Sequence, residues 1–157
     1  MTMHKILTVF ALVTSGTLMS GAASAQEKKL TRADLPPAVE KTVAEQSKGA
    51  VIRGFSTEVE DGKTLYEASL TVNGHARAIE MDARGRVLEV EDEVTLASVP
   101  PAVKAALVKA AGAGTIQKVE TLTKQGKLVA YEADVKTGTK RSEIQVGPDG
   151  KKLAHPE

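Results

Sequence analysis

The chain has 157 residues, with 21 Lys and Arg against 20 Asp and Glu, so a formal net charge of +1 gives no electrostatic case for binding nucleic acid or an anionic membrane. The absence of cysteine excludes a disulfide scaffold and a thiol nucleophile, and the length holds one ordinary domain or two very small ones.

Residues 1–25 have the pattern of a signal peptide. His4 and Lys5 precede a mostly apolar stretch, Ile6 to Val13, and Ala23-Ser24-Ala25 offers the small residues that signal peptidase needs. The apolar run is too short, and too broken by Thr, Ser and Gly, for the ~20 residues that span a bilayer. Cleavage after Ala25 is expected to leave a periplasmic or secreted chain without stable membrane insertion. That chain would carry 20 bases and 20 acids, unevenly: residues 26–95 sum to −4 and residues 96–157 to +4.

Residues 26–34 are polar and read as a flexible leader. Leu35-Pro36-Pro37-Ala38-Val39 then starts a helix at Pro37, because a residue before proline is held out of the helical region while proline itself suits a first turn. Val39 and Val43 share a face, Leu35 can fold back over the first turn, and Gly49 suits the cap. From Ile52 the period becomes alternating. A first strand holds Phe55 and Val59 and turns at Asp61-Gly62; a second puts Tyr66, Ala68, Leu70 and Val72 inward, with Leu65, Glu67, Ser69 and Thr71 outward. After Asn73-Gly74 a third strand has Ile79 and Met81 inward and Ala78 and Glu80 outward. Following Asp82-Ala83-Arg84-Gly85, Arg86 to Asp92 makes a fourth with Leu88 and Val90 inward. Asp92 and Glu93 lead into a short linker at 95–98.

The chain then repeats itself. Val99-Pro100-Pro101-Ala102-Val103 answers Leu35 to Val39 at an offset of 64, and a second helix runs from Pro101 to near Gly112. Tyr66-Glu67-Ala68, Ile79, Gly85 and Leu88 return as Tyr131-Glu132-Ala133, Ile144, Gly150 and Leu153, each shifted by 65. Residues 35–94 and 99–157 therefore read as two tandem repeats of one unit. The fold expected is α+β: each repeat one helix on a three- to four-stranded antiparallel meander, with the two sheets side by side. A repeat of about 60 residues buries too little surface to stand comfortably alone.

Chemistry-bearing motifs are missing. His75 and His155 do not form a metal-ligand spacing, and neither a nucleophile elbow nor a phosphate loop occurs, so no enzyme activity, catalytic residue, cofactor or metal site is expected. Glu89, Glu91, Asp92 and Glu93 read as a solvated acidic edge that discourages strand pairing. Tyr66 and Tyr131 read as core anchors.

The exported pattern, the Leu-Pro-Pro-Ala-Val helix start, Asp61 to Ala68 and Ile79 to Val90, with their counterparts Gly126 to Ala133 and Ile144 to Leu153, resemble the PepSY-like units likened to bacterial β-lactamase inhibitor proteins (BLIP-like). The resemblance implies a helix on an antiparallel sheet, twice, with an open face, and a non-enzymatic role in binding or restraining another exported protein such as a hydrolase. The face expected to bind carries Glu67, Ser69, Thr71, Ala78, Glu80 and Glu89, with Glu132, Asp134, Glu143 and Gln145 in the second copy. The alternative is a small-ligand or metal-cation-binding periplasmic protein using the acidic edge or the groove between the repeats.

Overall fold

The structure, a computed structural model, describes residues 27–60 and 62–157. The signal-peptide reading of residues 1–25 lies outside that range, as does Asp61 of the first hairpin.

In order, the elements are β1 (Lys28–Leu30), a 3-10 turn (Arg32–Asp34), α1 (Pro37–Gln46), β2 (Val51–Glu60), β3 (Lys63–Val72), β4 (His75–Asp82), β5 (Val87–Val94), α2 (Pro101–Ala111), β6 (Thr115–Lys124), β7 (Lys127–Thr137) and β8 (Lys140–Val146). The strands form a single antiparallel sheet in chain order, β1 to β8. This corrects the expectation of two sheets side by side. β5 and β6 pair from Glu89 opposite Lys124 to Val94 opposite Val119, which satisfies the backbone donors and acceptors that two separate sheets would leave at their facing edges. Residues 95–98 form a tight turn in which the Ser98 N–H and hydroxyl both donate to the Thr95 carbonyl, at 3.0 and 2.8 Å.

The expected flexible leader is also corrected. Lys28, Lys29 and Leu30 pair with Thr57, Ser56 and Phe55, and Leu30 packs against the core beneath α1. The segment is then pinned by Asp34, whose carboxylate accepts from both the N–H and the hydroxyl of Thr31 at 2.8 and 2.7 Å. Those bonds hold the Asp34 carboxyl below its ordinary range.

Each helix starts at the proline the sequence marks. Pro36 and Pro100 supply carbonyls that accept from Glu40 and Lys104 at 2.9 and 3.0 Å, and neither Pro37 nor Pro101 lacks a bond it would otherwise make. The apolar faces are narrow, Val39 and Val43 on α1, Val103 and Leu107 on α2, and each lies on the sheet in its own core. One core gathers Leu35, Val39 and Val43 with Ala68, Leu70, Ile79 and Met81; the other gathers Val99, Val103 and Leu107 with Val119, Tyr131, Ala133 and Val146. Tyr131 is buried and Tyr66 is partly buried against the first core. All these strand residues lie on one face of the sheet, so both helices cover the same side.

Turn geometry follows the glycines. Asn73 and Gly74, and Gln125 and Gly126, take positive φ at successive positions, the backbone of a two-residue hairpin whose twist matches the strands. Gly85 and Gly150 do something more. Each adopts positive φ directly under a helix, where an added Cβ would overlap the Ala38 carbonyl in one case and the Ala102 backbone in the other. Thr42 clamps the first contact by donating to the Gly85 carbonyl at 2.7 Å. One facing assignment differs from the sequence reading. Glu80 pairs with Glu89 and Met81 with Val87, so a bulge sets Leu88 aside and it is Val87, with Val90, that packs on the first core.

Candidate functional site

The sheet face turned away from the helices is the candidate site. Strand alternation sets its membership: the register that sends Ala68, Ile79 and Val90 toward α1 sends Glu67, Glu80 and Glu89 to the other side, directly opposite one another on β3, β4 and β5. Ser56 begins this row on β2 and Lys124 continues it on β6. A second row crosses the seam between β5 and β6: Glu93 faces Glu120, Glu120 faces Glu132, and Glu132 faces Gln145. Between the rows lies Glu91, flanked by Ala78 and Leu122. Lys118, Asp134 and Glu143 make a third, shorter row.

All ten residues expected on a binding face therefore stand on this face. Their exposure does not follow the expectation. Glu89 and Glu132 retain 5% and 8% of their accessible surface, and Glu120 retains 6%. No described helix covers them; they stand on strands paired on both sides, with the buried Leu65, Leu122 and Ala130 on the same face. The solvated acidic edge is corrected too. β5 is an interior strand, paired on both sides, and its acids form the middle of the face.

Glu93, expected in the acidic edge and the approach to the linker, lies within β5, and its carboxylate accepts the Ala76 N–H at 2.8 Å. Glu120 is a functional candidate outside the expected face and edge, and the alternation Lys118, Glu120, Leu122 carries the signal for it.

Among the described residues two ammonium groups pair with this array, while Lys63, Lys127, Lys136 and Arg141 share its face by register. The Lys118 ammonium lies 2.8 Å from Glu120 and 3.5 Å from Asp134, and Lys124 lies 3.4 Å from Glu89. Gln145 donates to Glu132 at 2.6 Å while its own oxygen accepts the Glu157 N–H at 2.8 Å. Ser69 donates to Glu67 at 2.7 Å. Burial raises the carboxyls of Glu89, Glu120 and Glu132 in spite of these partners. With less compensation the effect is larger: burial and the charges of Glu89 and Glu58 push Glu80 up to about 8, and burial with Glu120 and Glu132 pushes Glu91 up to about 9. Glu143, near Glu132 and Asp134, rises to about 7, chiefly through burial. Burial works against the charge on Lys118, yet the Glu120 hydrogen bond and the surrounding carboxylates hold its ammonium above the ordinary range.

This arrangement can do two things chemically: attract cationic groups and hold protons. Carboxylate oxygens of Glu132, Asp134 and Glu143 also come within 4.8 Å of one another. The groove at the seam is less promising. It measures about 220 Å³, lined by His75, Glu93 to Leu96 and Ile116 to Val119, which is below the range of ligand pockets, roughly 300–1,000 Å³.

No family model matches the chain, nor does any curated protein. Solved structures match in fold. A DUF2874 family protein from Bacteroides ovatus aligns with a TM-score of 0.59 at 20% identity, over 76% of this chain and 84% of its own. A BLIP-like protein from Bacteroides fragilis aligns with a TM-score of 0.57 at 21% identity, over 78% and 86%. A third, a candidate periplasmic protein from Bacteroides eggerthii, gives 0.63 at 18% identity over 78% and 88%. Such identities establish a shared BLIP-like fold and nothing further.

Proposed function

We propose that this chain is an exported, non-enzymatic protein-binding module whose acidic sheet face takes up a cationic surface of another exported protein, such as a hydrolase that it restrains. The observation that carries this reading is the register itself: glutamates directly opposite on adjacent strands, Glu67–Glu80–Glu89 and Glu93–Glu120–Glu132, repel one another and lower the stability of the free protein. A face built this way is relieved when positive charge lies over it. Export rests on the N-terminal pattern and is supported by the fold likeness to a candidate periplasmic protein.

On the same reading residues 35–94 and 99–157 are two copies of one PepSY-like unit joined by residues 95–98. The equivalent packing of Gly85 under Ala38 and Gly150 under Ala102 supports the duplication.

Capture from a periplasmic extract tests the binding role. Basic proteins should be retained by the wild type and released by a few tenths molar salt, since the Debye length shrinks from about 8 Å at 0.15 M to about 3 Å at 1 M. The Glu67→Lys, Glu132→Lys double variant should lose them; an unchanged set of captured proteins would show that this face is not the docking surface.

The approach of Glu132, Asp134 and Glu143 favours a second reading, a divalent cation held by oxygen ligands. A ligand at 100 times its Kd stabilises by about 2.7 kcal/mol, so millimolar calcium should raise the melting temperature measurably, and an unmoved midpoint disposes of this reading.

A further inference from the structure

Crowding of carboxyls in crossed rows gives the helix-free face a second property. We infer that Glu80 and Glu91, crowded by the acids that face them across the strands, hold protons in the free protein and give them up when cationic groups dock, so that occupation of the face is gated by pH. The inference rests on the docking reading above and adds its regulation.

Geometry carries it. Glu80 on β4 faces Glu67 on β3 and Glu89 on β5, with Glu58 and Glu60 beyond them on β2; carboxylates at such directly opposite positions have Cβ atoms about 4.5–5.5 Å apart. The cation in the row, Lys124 on β6, is already engaged by Glu89. Nothing on the row is left to neutralise Glu80. Glu91 on β5 lies beside Ala78 and Leu122, with Glu89 two residues along its own strand, Glu120 and Glu132 across the seam and Glu67 on the other side. The base on that flank, Lys118, is divided between Glu120 and Asp134. Arg53, at the β2 margin, spends its Nε–H on Thr71.

The placing of Glu80 and Glu91 among the buried Glu89, Glu120 and Glu132 strengthens the repulsion between their charges, so shedding charge by protonation is the cheaper state until an external cation arrives.

The test uses the protein with carbon-13 NMR of its glutamate side-chain carboxyls, titrated from pH 4 to 10 alone and with hexalysine as the cationic probe. Alone, Glu80 and Glu91 should titrate roughly two pH units or more above a glutamate in a free peptide. Saturating hexalysine should lower both midpoints, and its affinity should rise roughly tenfold or more from pH 5 to pH 9. Glu80→Gln, which imitates the protonated carboxyl, should flatten the rise of hexalysine affinity between pH 5 and pH 9; an unchanged rise would overturn the part assigned to Glu80. Ordinary midpoints for Glu80 and Glu91 would overturn the inference while leaving docking possible, and so would hexalysine binding that moved neither midpoint. Raised midpoints with no hexalysine binding even at pH 9, where the face is charged, would instead overturn the docking reading and with it the exchange.

Discussion

At the scale of single residues, Glu80 and Glu91 set the protein's response to pH. Their folded carboxyls stand near 8 and 9, above the ordinary glutamate value of 4.5, so the folded chain holds protons that the unfolded chain has already lost. The stabilisation they lend is complete below about pH 4.5 and is lost as pH rises through 8 and 9. Thermal melting should therefore fall steadily between pH 5 and pH 9, in a window where most proteins change little; a flat profile would contradict the burial assigned to these groups. Glutamine imitates the protonated form. Glu91→Gln should thus leave the melt at pH 5 almost untouched and raise it at pH 9, by several degrees for a gain of roughly 1–2 kcal/mol. Strand alternation made the facing of these glutamates legible in the sequence. Their burial was not, because it depends on which strand lies beside β5, and that information is distributed over the whole chain.

At the scale of elements, helices and hairpins were written almost entirely in local chemistry. Pro37 and Pro101 set the two helix starts, and Asn73-Gly74 set its turn within a residue. What local chemistry could not reveal is which glycines carry weight beyond their own φ. Gly85 and Gly126 share a positive φ, but only Gly85 has a helix backbone pressed against it. Gly126→Ala should cost about 1–2 kcal/mol, the strain of a left-handed alanine. Gly85→Ala adds the displacement of α1 and should cost roughly 3 kcal/mol or more, within the tail of single substitutions. Urea midpoints of the two variants compare them directly, and equal losses would mean that α1 yields freely. The bulge at Met81 is the element-scale surprise: a single extra residue exchanged Leu88 for Val87 in the core, and alternation alone cannot announce it.

At the scale of the molecule, the sheet is continuous while the cores are not. The first core draws on α1 and β3 and β4, the second on α2 with β6, β7 and β8, and no buried residue belongs to both. Val39→Ala and Val103→Ala should each cost roughly 2 kcal/mol, and the double variant should equal their sum within about 0.5 kcal/mol. A larger coupling in urea titrations would mean that the seam transmits packing as well as hydrogen bonds. The continuity escaped the sequence reading because β5 and β6 each look complete as strands of their own half; their pairing spans a turn, a helix and another turn.

Acids crowd the helix-free side, while on the side opposite Lys104 and Lys109 stand exposed on α2, Lys41 stands on α1 with Glu40 and Glu45, and Lys48 stands in the turn that follows. A formal charge of +1 therefore conceals an uneven division of charge between the two sides of the sheet. On an ion-exchange column such a molecule adsorbs to anionic and cationic resins alike, each time by the opposite flank, and at any charged boundary it settles one way up.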